Sequence, residues 1–208
     1  MYRVLIISVV IGWAINIKAQ IKVACVGNSI TENIALSNEQ KYPSILQDLL
    51  GNGYIVRNYG IGARTVLKKG DYPYWNEERY KEVLAWNPDI VIVKMGTNDA
   101  KAQNWAYKDN FESDYIEFIL SFQTLPSHPK VFICYPIPTF KDNFLPVDDQ
   151  LLVKEMMPMI DNISKATCAD IIDLHTPLVG KDDCVYDKVH PNEKGTKIMA
   201  RVIARKIC

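Results

Sequence analysis

Three short stretches of this chain carry side chains that could do acyl-transfer chemistry together. Ser29, in Val26-Gly27-Asn28-Ser29-Ile30-Thr31, follows an apolar run of strand length and a glycine that permits a sharp turn. Its hydroxyl is thereby expected at the carboxyl edge of a sheet, where open α/β sheets hold their ligands. A serine hydroxyl is a weak nucleophile and needs a base, a group that orients the base, and donors for an oxyanion. Asp187-Lys188-Val189-His190-Pro191 offers the first two. His190 is a general base for a hydroxyl, and Asp187 can accept from its other ring nitrogen and hold the useful tautomer. Asn98, in Gly96-Thr97-Asn98-Asp99, follows the strand-like run Ile90–Val93 and is expected on the same edge. Each stretch alone is weak, since such serines mostly form turns and a lone Asp-x-x-His mostly lies on a surface loop. Their conjunction carries the weight.

The elements that must position these residues alternate between strand and helix. Strands are predicted at Ile21–Val26, Tyr54–Arg57, Ile90–Val93, Val131–Cys134 and Ile171–Leu174. The β-branched run Ile90-Val91-Ile92-Val93 has the pattern of a central strand covered on both faces. Helices are predicted from Tyr42 to a stop at Gly51, from Glu77 to Trp86, around the stripe Tyr115, Phe118, Ile119 and Phe122, and from Asn192 to Ile207. A long helical region from Asp148 to Thr167 contains Pro158, which should kink or divide it. The pattern predicts an α/β domain with a five-stranded, mainly parallel sheet and right-handed crossovers that put helices on both faces. Ser29, Ala63, Asn98 and the Asp187/His190 pair then all follow strand ends on one edge.

The totals narrow the function classes. With 208 residues the chain suits one domain with an ample core. Its formal net charge of zero excludes the basic field of a nucleic-acid binder. Met1-Tyr2-Arg3, the apolar run Val4–Ile17 and Lys18-Ala19-Gln20 read as an export signal over residues 1–20. That apolar run is shorter than the roughly 20 residues of a spanning helix. The expectation is a mature domain over 21–208, exported to the periplasm or beyond, with no membrane insertion. Cys25 and Cys134 read as buried thiols, and Cys168–Cys184 is one bridge open to the chain. His128 and His175 read as turn histidines, and no zinc-site spacing occurs, so neither metal nor cofactor is expected. Gly60-Ile61-Gly62 also lacks the third glycine of a dinucleotide fingerprint.

Four blocks in order carry a resemblance over nearly all of the expected mature chain. They are Gly27-Asn28-Ser29-Ile30-Thr31, Asn58-Tyr59-Gly60-Ile61-Gly62-Ala63, Gly96-Thr97-Asn98-Asp99 and Asp187-Lys188-Val189-His190-Pro191. The chain resembles the SGNH (GDSL-type) serine hydrolases. That resemblance implies a flavodoxin-like three-layer α/β/α fold, with Ser29 as nucleophile, His190 as base and then acid, and Asp187 as orienter. It also implies an oxyanion hole built from the N–H of Ser29, an N–H of the second block at Ala63, and the Asn98 amide. Two positions depart from the family pattern: Asn28 stands where Asp is usual, and Ala63 where glycine is usual. Alanine serves if its φ is negative, and if the turn needs a positive φ, Gly62 or Gly60 is expected to absorb it.

The extension Arg64-Thr65-Val66-Leu67-Lys68-Lys69-Gly70-Asp71-Tyr72-Pro73-Tyr74-Trp75 resembles exported bacterial sialate O-acetylesterase-like proteins. The resemblance implies removal of short acyl groups, above all O-acetyl, from a carbohydrate, with sialic acid one candidate. Trp75 and Trp105 are then expected to stack on a sugar, and Arg64 to meet a carboxylate. Two other readings stay open. One is a lysophospholipase or thioesterase with the same triad, which needs an apolar acyl trough. The other is a sugar-binding protein without turnover, which has no need of Ser29, His190 and Asn98.

Overall fold

The computed structural model describes residues 19–208. The expected export signal therefore lies, except for Ala19 and Gln20, outside the described residues. Five strands form one sheet: β1 (Ile21–Gly27), β2 (Tyr54–Gly60), β3 (Ile90–Lys94), β4 (Lys130–Cys134) and β5 (Asp170–Ile172). Their order is β2-β1-β3-β4-β5 and every pairing is parallel.

Alternation along the strands makes the three layers. Val23, Cys25, Ile90, Ile92, Phe132 and Cys134 face one side. There they meet Tyr42 and Leu46 of α2 (Tyr42–Leu50) and Met199, Ala200 and Ile203 of α8 (Glu193–Ile207). The intervening residues Ala24, Val26, Val91, Val93, Val131 and Ile133 face the other side. They pack against Val83 of α3 (Glu78–Trp86), Phe118 and Phe122 of α5 (Phe111–Gln123), and Ile160 and Ile163 of α7 (Met157–Thr167). A side-chain period of two on a sheet covered twice makes both sets apolar, and β3 is buried along its whole length for that reason.

Three expectations need adjustment. The helical region before β5 is divided just ahead of Pro158, as expected, but by a widened turn and not by a break in the chain of helical residues. It runs as α6 (Asp149–Leu151), a π-helical turn (Leu152–Met156) and α7. A widened turn directly ahead of the proline absorbs its missing N–H and bulky ring without ending the helix. β5 stops at Ile172 rather than Leu174, because the Asp173 carboxylate accepts from the backbone N–H groups of His175 and Thr176, both at 2.9 Å, and turns the chain. All five cysteines are free thiols, so the Cys168–Cys184 bridge is absent.

The strand order reverses direction at β1. The chain leaves β1 toward β2 on one side, then returns past it to β3 on the other. The carboxyl ends of β1 and β3 thus border a crevice at the topological switch point, the usual place for a ligand in such sheets. Ser29 follows β1 and Asn98 follows β3.

Candidate active site

Ser29 opens the one-turn helix α1 (Ser29–Glu32) directly after β1. Asn28 caps that turn by accepting from the Ile30 N–H at 3.1 Å, a role asparagine fills as well as aspartate. Two glycines let the elements crowd together here. A Cβ at Gly27 would stand 2.1 Å from the Thr31 hydroxyl oxygen, and one at Gly60 would stand 2.2 Å from the Glu32 nitrogen.

His190 arrives on the loop between Val185 and Pro191, which closes on itself through Tyr186 N–H to His190 O at 3.0 Å. Lys188 takes a φ of +70° inside that loop. Asn33, just past α1, donates to the Pro191 carbonyl at 2.9 Å and ties the loop to the serine turn. The result is a continuous chain of hydrogen bonds. His190 Nε2 lies 2.7 Å from Ser29 Oγ, and His190 Nδ1 lies 2.7 Å from Asp187 Oδ2. The other carboxylate oxygen of Asp187 accepts from the N–H groups of Val189 at 3.1 Å and His190 at 2.7 Å. An ionised carboxylate only accepts, so Nδ1 carries the proton and Nε2 is left to receive the hydroxyl hydrogen of Ser29.

The oxyanion side comes from the second and third blocks. Asn98 is 2% exposed and donates one amide hydrogen to the Arg64 carbonyl at 3.1 Å. Its neighbour Asp99 accepts from the N–H groups of Val66 and Leu67, both at 2.8 Å. The two loops are therefore braced against each other. Ala63 has a φ of +66°, and neither Gly62 nor Gly60 takes a positive φ. The alanine itself, not a neighbouring glycine, absorbs the turn, at a steric cost of roughly 1–2 kcal/mol. The peptides around it are pinned, which keeps it there. The Gly62 N–H donates to Glu32 Oε2 at 2.6 Å, and Arg64 donates to the Gly62 carbonyl at 2.8 Å.

Ser29, Ala63, Asn98 and His190 share a cavity of about 160 Å³. Lys101, Phe144 and Leu145 complete its wall. None of these three is picked out by the sequence blocks. Lys101 lies three residues past Asn98, directly ahead of α4 (Ala102–Trp105), and Phe144-Leu145 is an apolar pair directly after the polar run Lys141-Asp142-Asn143, which is the only signal the sequence held. Phe144 stacks on the His190 imidazole with centroids 5.6 Å apart, and Tyr186 does so at 5.7 Å.

The three expected substrate contacts do not line this cavity. Arg64 is engaged with Glu77 at 2.7 Å and with the Gly62 carbonyl. Trp75 packs between Tyr80 and Phe118, with its indole N–H on the Val66 carbonyl at 2.8 Å. Trp105 is 8% exposed, packs on Phe111 and donates to Glu155 at 3.1 Å. Each apolar ring found an aromatic core before it could find a ligand, because burial of that much surface dominates. His175 is also more than a turn residue, since it is buried and faces Asp149 at 3.2 Å. A larger groove of about 700 Å³ runs along β2 and α3, where Arg57 covers the Trp86 ring at 4.5 Å, but it holds none of the residues above.

Lys94, at the end of β3, is fully buried and donates to the Thr97 hydroxyl at 2.9 Å. Burial pulls its ammonium down to about 7, against the opposing pull of Cys134 and Asp99. Burial likewise pushes the Asp99 carboxyl up to about 6, although the Leu67 and Val66 N–H groups favour its charge. Between pH 7 and the unfolded lysine value the unfolded chain binds the extra proton, so the lysine's burden on stability shrinks as pH rises. Denaturant unfolding of wild type and Lys94→Met should therefore show the wild type gaining on the variant from pH 7 to pH 9.5, by on the order of 1 kcal/mol per pH unit. A difference that stays flat across that range would sink this reading of Lys94.

Comparison with known proteins adds sequence and structural kinship. Residues 25–198 match the family described as GDSL-like Lipase/Acylhydrolase family. An acetylxylan esterase of Xylanibacter ruminicola is 40% identical over 207 residues, covering 90% of this chain. The chain spans 43% of that relative's length. The crystal structure of an acetyl xylan esterase, AlAXEase, matches with a TM-score of 0.73 at 25% identity, over 90% of this chain and 100% of that one. Est24, a carbohydrate acetylesterase from Sinorhizobium meliloti, has a TM-score of 0.70 at 19% identity, over 90% and 98% of the two chains, and shares the fold.

Proposed function

We propose that this chain, which belongs to the GDSL-like Lipase/Acylhydrolase family, is a serine esterase that removes O-acetyl groups from a carbohydrate. The observation that carries the reading is the unbroken relay from Asp187 through His190 to Ser29, with 2.7 Å at each link. In the first half-reaction Ser29 Oγ attacks the ester carbonyl carbon as its proton passes to His190 Nε2. Asp187 stabilises the imidazolium, and the Ser29 N–H, the Ala63 N–H and the Asn98 amide receive the oxyanion. Collapse breaks the bond to the alcohol oxygen, which leaves with the proton from His190. Water then attacks the acyl-serine with His190 again as base, and releases acetate.

The size of the cavity, about 160 Å³ with Phe144 and Leu145 in its wall, favours a short acyl group over a lipid chain. Among the described residues no helix is long and apolar enough to cross a membrane. The carbohydrate rests on kinship with the acetylxylan esterase of Xylanibacter ruminicola. Export directed by residues 1–20 belongs to the same proposal, with the enzyme meeting its glycan outside the cytoplasm.

Hydrolysis of p-nitrophenyl acetate, butyrate and octanoate by the protein tests this directly. Acetate is expected to give the highest kcat/KM, with octanoate slower by a factor of ten or more. Octanoate equal to acetate would move the substrate to lipid esters. No turnover of any of the three would remove the esterase reading and leave sugar binding.

A further inference from the structure

We propose that Phe144 and Lys101 form the sugar subsite beside Ser29, with Phe144 as a platform for a pyranose face and Lys101 as a donor to its hydroxyls. This rests on the esterase reading above and replaces Trp75, Trp105 and Arg64 as the substrate contacts.

Phe144 stacks on the His190 imidazole in the wall of the Ser29 cavity and is still 61% exposed, so apolar ring surface stays open directly beside the nucleophile. It is held there by construction. The stretch between β4 and α6 is cinched at its neck, where Asp149 Oδ1 accepts from the Thr139 N–H at 2.9 Å and faces His175 Nε2 at 3.2 Å. Within it, the Asn143 amide donates to the carbonyls of Phe140 and Val147, both at 2.9 Å. The Phe140 N–H donates to the Lys188 carbonyl at 2.9 Å and fastens the stretch to the His190 loop. A ring fixed in this way over the catalytic imidazole loses little entropy when a sugar's C–H face settles on it.

Lys101 is the polar member of the three residues that complete the cavity wall. Its ammonium sits 3.4 Å from Asp71 Oδ2, and the Gln103 amide lies 3.4 Å from the same oxygen. Both contacts are long, and an ammonium has three hydrogens, so donors remain for a ligand. Asp71 itself is rigid. It exchanges two 2.9 Å hydrogen bonds with Asn104, and the Asn104 amide also donates to the Asn98 carbonyl at 2.8 Å. The group that would read the sugar and the strand end that would hold the oxyanion thus share one brace.

Charge decides which sugar. The Asp71 carboxylate offsets Lys101, and Glu77 occupies Arg64. Neither cation has a full charge to spare for a substrate carboxylate, whereas a lysine beside a carboxylate suits the hydroxyls of a neutral sugar, which both donate and accept. A pyranose has an apolar face and a polar rim, the two chemistries that Phe144 and Lys101 present.

The test is a ratio: kcat/KM on acetylated xylo-oligosaccharide divided by kcat/KM on p-nitrophenyl acetate. Phe144→Ala and Lys101→Met are each expected to lower that ratio about tenfold, chiefly through KM of the sugar ester. Phe144→Tyr, which keeps the ring, is expected to hold the wild-type ratio. The wild type is expected to cleave the acetylated xylo-oligosaccharide faster than an O-acetylated sialic acid. A ratio unchanged in both Phe144→Ala and Lys101→Met overturns the subsite, and faster cleavage of the sialic acid ester overturns its neutrality. A wild type inert on p-nitrophenyl acetate instead fails the esterase reading itself.

Discussion

Asp187→Asn is expected to lower kcat on p-nitrophenyl acetate by about 10⁴-fold, with the fold and KM nearly unchanged. The geometry makes the reason specific. One carboxylate oxygen accepts from two backbone N–H groups, of Val189 and His190. An asparagine keeps those bonds by placing its oxygen there, and its NH₂ then faces His190 Nδ1, where the second oxygen stood at 2.7 Å. A donor in that position forces the proton onto Nε2, and Nε2 can no longer take a proton from Ser29. Ser29→Ala removes the nucleophile and is expected to cost more, about 10⁶-fold. Because the three residues act as one unit, adding Asp187→Asn to Ser29→Ala should cost little further. Full activity in Asp187→Asn, with circular dichroism unchanged, would mean that the pair is structural and that another group activates the serine.

Asn98→Ala is expected to reduce kcat by about 10²–10³-fold while KM moves little, because an oxyanion donor acts on charge that develops only in the transition state. Asn98 is buried on the cavity wall, and one of its amide hydrogens is held by the Arg64 carbonyl at 3.1 Å. That bond fixes the amide plane and leaves the second hydrogen for the substrate. Alanine removes both. Asn98→Asp should be at least as slow, since a carboxylate in that place repels the oxyanion and the Arg64 carbonyl alike. Steady-state kinetics on the acetate ester decides the matter: a kcat loss below tenfold in Asn98→Ala would take Asn98 out of the oxyanion hole.

Much of this architecture is legible in the amino-acid sequence. The run Ile90-Val91-Ile92-Val93 announced a doubly covered strand, because a residue period of two with both faces apolar has few other outcomes. Ser29, Asn98 and the Asp187/His190 pair stood out because each follows a strand in an alternating chain, and parallel strands place all such ends on one edge. The tryptophans misled for a physical reason. Trp75 and Trp105 gain as much from an aromatic core as from a sugar, and no local pattern says which they will meet. Ala63 misled differently. Glycine is the cheapest carrier of a positive φ, yet the bonds that pin Gly62 on both sides put the turn on the alanine.

Order along the chain was enough to settle the fold class and the sheet edge on which Ser29 and Asn98 follow their strands, because these follow from local periodicity and the handedness of crossovers, whereas Ser29, Asp187 and His190 were expected as a set from the resemblance that the four blocks carry. Contacts between residues far apart in sequence had to be seen. Examples are Phe144 over His190, Lys101 against Asp71, and Lys94 buried beneath the Asn98 turn. They depend on where loops of irregular conformation come to rest, and that is set by packing and hydrogen bonding among distant segments, which leaves no period in the sequence to read.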